Sequence, residues 1–404
     1  MTMKNTAAAI DFGTSKIVTV LAESGGFSRC DIIGAGTVPY AGYLGGEWNV
    51  PEELPGKIRD SINAAELEGK TRIRELYVGV PCEHIRLLND SATVELESQD
   101  GRVADEDLNR VGDAVADKLN LPAQGGMVIH RSPAWFQVDG GKKTMSPVGL
   151  RGRELSASVS FILADRYFIE EVGKLLLGLG VGVLGFLSPS MGESMLLLGL
   201  EERDRVAVLV DIGYLNTEFS VLEGDAMVYH GVLPMGGGHF TADLATHLQI
   251  PMKAAEQIKR EYIFMPDEFD EPGDSQVTDE ATGKRLTFPR EFVQRIMEES
   301  VDELCDMIAG AMKECDGLLT QRSQVFITGG GLALMRGGRE YLAAKLGRPV
   351  KVSMAKSAKL NSPVFASALG LVDLVFDSIE QRSAQEDSLP GRLAGGLRNL
   401  FKRT

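Results

Sequence analysis

Ala8-Ala9-Ile10-Asp11-Phe12-Gly13-Thr14-Ser15-Lys16-Ile17-Val18 and, half a chain later, Val208-Leu209-Val210-Asp211-Ile212-Gly213-Tyr214-Leu215-Asn216-Thr217-Glu218-Phe219 are two versions of one pattern. Each reads as an apolar strand, an Asp-x-Gly turn and a second apolar strand. Two such turns facing each other across a cleft would present backbone N–H groups to a phosphate chain from both sides. Asp11 and Asp211, just ahead of the turns, are placed to hold magnesium or its waters. A third stretch, Val325-Phe326-Ile327-Thr328-Gly329-Gly330-Gly331, reads as a buried strand running into a triple glycine, with a helix expected from about Leu334. Strand, glycines and helix N-terminus together would form a nucleotide contact. One Asp-x-Gly turn is a weak signal; the ordered set of two turns and a late glycine strand is a strong one.

At 404 residues the chain exceeds one ordinary core, so two large lobes are expected. Its net charge of −15 argues against general nucleic-acid binding. Cys30, Cys82, Cys305 and Cys315 form no CxxC pair and read as reduced cytosolic thiols. The histidines show no HxxxH spacing for a metal. No signal peptide is read at the N-terminus. The most apolar stretch, residues 175–187, is short and broken by Gly178, Gly180, Gly182 and Gly185. A bilayer span needs about 20 apolar residues.

Periodicity places a helix over residues 49–67 and a strand over 76–80. From His84 to about Asp165 the pattern changes. A strand at 92–96 and a helix at 105–119, with Leu108, Val111, Val115 and Leu119 on one stripe, predict a small α+β subdomain inserted into the first lobe. Helices follow at 167–179 and 191–200, and the second lobe opens at Val206. A helix at 251–262, an acidic Gly- and Asp-rich loop at 266–287, a long helix at 289–317 and a last helix at 363–379 complete the expectation.

The two turns and the glycine strand resemble those of the actin-like ATPase superfamily, and over nearly the whole chain the likeness is to the bacterial cell-division FtsA family. It is carried by Ala9-Ile10-Asp11-Phe12-Gly13-Thr14-Ser15-Lys16, Val210-Asp211-Ile212-Gly213 and Ile327-Thr328-Gly329-Gly330-Gly331, supported by residues 233–241, 255–259 and 362–371. The resemblance implies an α/β, actin-like duplicated two-lobe fold with a nucleotide cleft and an inserted FtsA-type α+β subdomain. Residues 1–83 and 166–204 would form the first lobe and 84–165 the insert. Residues 205–234 and 318–380 would form the second lobe, with 235–317 as its small subdomain. It also implies ATP and magnesium as ligands. Thr14, Ser15 and Lys16 would line the first phosphate turn beyond Gly13. Gly213, Asn216 and Thr217 would form the second. Gly329, Gly330 and Gly331 would admit adenosine, and Gly236 and Gly237 would close its other side. Glu256 and Lys259 lie on the helix that touches ribose or base in the superfamily, although a solvated i,i+3 pair reads equally well. The second turn departs from the family: Tyr214 and Leu215 stand where two glycines are usual, which adds bulk beside the phosphates and bears most heavily on hydrolysis.

Residues 381–389 read as a polar linker. Residues 390–404 carry four basic and no acidic side chains. At 100° per residue, Leu393, Leu397, Leu400 and Phe401 share one face, Arg398 and Lys402 lie opposite, and Arg392 and Arg403 flank them. That is the pattern of an amphipathic helix on an anionic membrane surface. The leading expectation is thus a structural protein, peripheral on the cytoplasmic face of the membrane, that tethers a tubulin-like FtsZ polymer. It would bind ATP with weak or no hydrolysis, self-associate into filaments and meet other division proteins, with no nucleic-acid partner. The small subdomain, with Arg290 and Arg295 as candidate contacts, would receive an acidic FtsZ peptide. A PilM-like pilus-assembly scaffold is the alternative. A small-molecule kinase is a third reading, but no carboxylate base stands out for it.

Overall fold

The two Asp-x-Gly motifs open two five-stranded sheets built on one plan. In the computed structural model, residues 5–25, 29–98, 100–267, 270, 273–278 and 283–388 are described. The first sheet runs Gly182–Leu187, Glu75–Gly79, Thr6–Phe12, Lys16–Ser24, Cys30–Pro39. The second runs Val350–Val352, Val325–Thr328, Ala207–Ile212, Thr217–Glu223, Ala226–Leu233. In each, three antiparallel strands form a meander, and parallel strands extend the sheet beyond the motif strand.

Strand alternation divides the motif residues between two cores. Ala8, Ile10 and Phe12 join a core with Ile58 and Ile62 of helix Leu54–Gly69 and Phe168 and Val172 of helix Arg166–Gly178. Ala7 and Ala9 point the other way, onto Leu371, Val372 and Val375 of helix Ala366–Ser388. In the second lobe Val208, Val210 and Ile212 meet helices Gly237–Leu248, Met252–Glu261, Arg290–Glu314 and Gly338–Leu346. Ala207 and Leu209 face Met191 of helix Pro189–Leu197.

The chain passes between lobes along Pro189–Leu197 and returns into Ala366–Ser388. These two helices cross at glycines. A Cβ on Gly192 would lie 2.6 Å from the Gly370 carbonyl carbon, and one on Gly370 would lie 2.3 Å from Glu193 N, so only hydrogen fits between the backbones.

The insert is a three-stranded antiparallel sheet, Ile85–Glu95, Glu154–Ala164, Met127–Val138, with helix Asp105–Lys118 packing Val111 and Val115 onto Leu155, Ala157 and Phe161. Its other face meets the second lobe, where the buried Ser160 Oγ donates to Met227 O at 2.6 Å.

Four expectations are corrected. The first helix starts at Leu54 rather than 49, because Val50–Glu53 closes a turn and Pro55 suits the first helical positions. The acidic stretch 266–287 is not all loop. It holds part of an antiparallel hairpin, Ser275–Thr278 with Arg285–Phe288, held because Val277 buries its side chain in the second-lobe core. The helix after the glycine strand begins at Gly338, not near Leu334, because Phe264 N–H donates to Arg336 O and ties residues 332–337 down as a loop. The last helix continues to Ser388, through the stretch read as a linker, which contains neither Gly nor Pro before Leu389. The amphipathic tail, with Leu393, Leu397, Arg398, Leu400, Phe401, Lys402 and Arg403, lies outside the described residues. No helix among the described residues is long and apolar enough to cross a membrane.

Candidate functional site

Both motif turns close in the same way. Gly13 N–H donates to Lys16 O, and Gly213 N–H donates to Asn216 O, each at 3.0 Å. Registers match too, with Asp11 opposite Val18 and Asp211 opposite Glu218. The turns face each other across a cavity of about 450 Å³ between the lobes. Every residue selected from sequence for nucleotide contact lines it, save two. Thr217 is fully buried and spends its hydroxyl on Met235 O at 2.7 Å. Gly236 packs against the second turn, where a Cβ would lie 2.7 Å from Gly213 O.

The glycine strand joins the second turn through backbone. Gly331 N–H donates to Ile212 O at 2.7 Å. Gly329 has φ +83°, and a Cβ there would fall 2.1 Å from Asp211 Oδ1, so both conformation and space demand glycine. The helix Gly338–Leu346 begins too late to aim its N-terminus at this loop. Helix Gly237–Leu248 opens on the cavity side instead, but Gly237 N–H and Gly238 N–H donate to Gly213 O and Tyr214 O.

Tyr214 packs against Gly238, its ring 2.9 Å from where a Cβ would be. Leu215 N–H reaches across the cleft to Thr14 Oγ1 at 3.1 Å, so the two turns touch. Beside them, Asn216 Nδ2 donates to Glu83 Oε1 at 2.9 Å. Lys16 donates to Val364 O at 2.9 Å and lies 4.7 Å from the Phe365 ring centroid. Burial lowers its pKa, an effect that Asp11 and Asp211 oppose. Lys259 is buried, pairs with Glu256 at 2.7 Å and donates to Gly237 O at 2.8 Å. The pair is therefore fixed to the cleft wall and is not a freely solvated one.

Four carboxyls converge below the turns. Burial pushes Asp11 up, against a 2.6 Å bond from Ser367 Oγ and the charge of Lys16. Burial raises Asp211 to about 7, helped by the charges of Glu218 and Asp11. Burial also drives Glu193 well above the usual carboxyl range, with the charges of Asp211 and Glu218 adding to the effect. Burial pushes Glu218 up as well, but His230 Nε2 at 3.2 Å and Ser190 outweigh it and hold the group low. Asp211 Oδ1 is buried without a hydrogen-bond partner. That orphaned oxygen fits a cation, and Asp11 and Asp211 are the pair to hold it. Among the described residues no group of three or more His, Cys, Asp or Glu is arranged to hold a metal. The remaining ligands of a magnesium ion would be phosphate oxygens and water, as is usual for it.

Glu83, Glu193, His230 and Ser367 were not found from sequence. They come from four separate elements, and no local pattern points to them. Only Glu218 had a cue, since it closes the second motif. Arg290 and Arg295 lie on the long helix of the small subdomain, where Arg290 N–H donates to Asp274 and Arg295 stacks 5.1 Å over Phe292.

Two lobes of one plan, each with an Asp-x-Gly turn aimed into a shared cleft, define an actin-like protein. The fold is shared with the solved PilM–PilN type IV pilus biogenesis complex, at a TM-score of 0.61 and 20% identity over 92% of this chain and 98% of that one. The sequence model described as cell division protein FtsA matches residues 208–370, and the one described as the SHS2 domain inserted in FTSA matches residues 82–163. Cell division protein FtsA of Neisseria meningitidis serogroup B is 24% identical over 381 residues, 90% of this chain and 89% of that protein. Its counterpart in Pseudomonas aeruginosa is 25% identical over 370 residues, 90% of this chain and 87% of that protein. The chain belongs to the FtsA family of cell-division proteins.

Proposed function

We propose that this chain binds ATP with magnesium between its two turns, hydrolyses it weakly or not at all, and tethers an FtsZ-type polymer to the cytoplasmic face of the membrane. The observation that carries the nucleotide reading is the pair of like-built turns facing each other across one cavity, with the glycine strand beside them. Asp11 and Asp211 would hold magnesium, and Lys16 would neutralise phosphate charge. Glu218, the carboxylate at the end of the second motif, is engaged by His230 and Ser190 rather than free to place a water for attack. The carboxylate base that a small-molecule kinase needs has no better candidate.

Membrane attachment rests on the tail. Four large apolar side chains offer at most about 1.5–3 kcal/mol each before ordering costs. Each basic residue adds about 1 kcal/mol at an anionic leaflet. One copy would bind weakly, and a filament of copies would bind tightly through effective concentration. The insert and the small subdomain would serve self-association and contacts with FtsZ and other division proteins.

Co-sedimentation with anionic liposomes tests this reading. The chain of residues 1–404 is expected to pellet, and a form ending at Leu389 is expected to stay in solution. Equal pelleting of both, or of neither, would overturn the anchor and favour a PilM-like scaffold. Calorimetry with ATP and magnesium tests the cleft separately.

A further inference from the structure

The insert belongs to the first lobe by connectivity, yet it is bonded to the second lobe at both ends of one strand, Thr217–Glu223. At the cleft end, Asn216 Nδ2 donates to Glu83 Oε1 at 2.9 Å and lies 3.4 Å from Cys82 Sγ. Glu83 is in the short 3-10 turn Cys82–His84, through which the chain enters the insert, and its other oxygen accepts from Tyr43 at 3.1 Å. The exit from the insert is tied to the same turn, since Asp165 N–H donates to His84 O at 2.8 Å.

At the far end the strand turns at Gly224 and Asp225 against the insert. Asp225 N–H donates to Pro133 O at 3.1 Å, and Lys143 pairs with Glu223 at 2.5 Å. A Cβ on Gly224 would lie 2.1 Å from Ala134 O. Thr217–Glu223 is paired along both edges, so it is a stiff bar about 23 Å long at roughly 3.3 Å per residue.

We propose that Glu83 is a positioning residue that couples occupancy of the cleft to the placement of the inserted subdomain on the second lobe. The proposal rests on the nucleotide reading. A phosphate chain between the turns must displace the contact of Leu215 with Thr14, and Asn216 is the next residue. Phosphate oxygens compete with the Glu83 carboxylate for the same amide donor and repel its charge. Once released from Asn216, the Cys82–His84 turn moves with the first lobe while the bar stays paired in the sheet of the second lobe. The insert then shifts against residues 223–228. Bonded and released are the two states that ligand binding biases. A passive brace would show the same contacts but no response at the far end.

The chain has two tryptophans. Trp135 lies at the far contact, where the Lys143 ammonium that pairs with Glu223 is 4.7 Å from its ring centroid. Trp48→Phe therefore leaves Trp135 as the sole reporter. Binding of ATP with magnesium is followed by calorimetry, and Trp135 emission is read at saturation. The expected result is an emission shift in the Trp48→Phe chain that is lost in the same chain carrying Glu83→Ala, although nucleotide still binds. By reciprocity, Glu83→Ala should also change nucleotide affinity by about fivefold or more. Binding without a shift overturns the proposal, as does a shift that survives Glu83→Ala. Failure to bind in the unaltered chain overturns the nucleotide reading and this proposal with it. Should Trp48→Phe not fold, hydrogen exchange of strand Met127–Val138 in the unaltered chain, with and without nucleotide, replaces the optical signal. Unchanged exchange there is the overturning result.

Discussion

The first and second Asp-x-Gly turns share a backbone and differ in the contacts that their residues make. Both close with a 3.0 Å bond across the turn, and both follow an aspartate at the same register. The first turn sets Thr14, Ser15 and Lys16 around the cavity: two hydroxyls and an ammonium, all suited to an anion. The second sets Tyr214 into the glycine helix, Leu215 against Thr14 and Asn216 against Glu83. Leu215 through its backbone N–H and Asn216 through its side-chain amide hold the lobes together. One frame thus carries two sets of side chains, one suited to an anion and the other engaged in bracing contacts.

The sharpest way to break this comparison is Gly329→Ala, because that glycine packs the glycine strand against Asp211 and Ile212 beneath the second turn. At φ +83° with Asp211 Oδ1 2.1 Å from the new carbon, the variant should lose about 3 kcal/mol or more in urea unfolding and should no longer bind nucleotide. Next in size is the contrast between equivalent positions. Lys16→Ala should weaken ATP binding by about tenfold to a hundredfold, the range of about 1.5–3 kcal/mol for a bond to a charged group. Asn216→Ala should cost a few-fold at most, since a phosphate gains its amide only by breaking the bond to Glu83. Equal losses in calorimetry would show that the turns do the same work.

The smallest effect is on pH dependence. Burial raises Asp211 from 3.8 to about 7. An acid whose folded-state pKa is raised stabilises the fold fully below its unfolded value and loses that contribution as pH rises through the folded value. In the nucleotide-free protein the melting temperature should therefore fall between about pH 4 and about pH 7, and Asp211→Asn should flatten that fall. Magnesium with ATP should flatten it as well, because a cation at Asp211 removes the penalty of ionising it.

Hairpins and amphipathic helices were legible from sequence because their signals are local. Asp11 and Asp211 announced themselves by strand, turn and strand, and helix Asp105–Lys118 by its apolar stripe. What failed depended on distant partners. Gly338 replaces Leu334 as the helix start because Phe264, far earlier in the chain, captures the Arg336 carbonyl. Residues 266–287 looked acidic and loop-like, and the burial of Val277 is what holds Ser275–Thr278 as a strand against Arg285–Phe288. In the site, Thr217 matched a family motif yet faces Met235, while Glu193 and Glu83 matched nothing and lie among the cleft groups. Motif position locates a backbone; the direction of a side chain is decided by whichever element packs against it.

The glycine crossing of Gly192 and Gly370 has a mechanical meaning. Two rods that touch backbone to backbone at one point behave as an axle: they can turn about it, but neither can slide without collision. Each rod is fixed along its length to a different lobe, so relative motion of the lobes becomes rotation about that point. Rotation about that point would move the far parts of each lobe more than the residues beside it. The leverage is set by where the glycines lie, and a single methyl group at either would jam it.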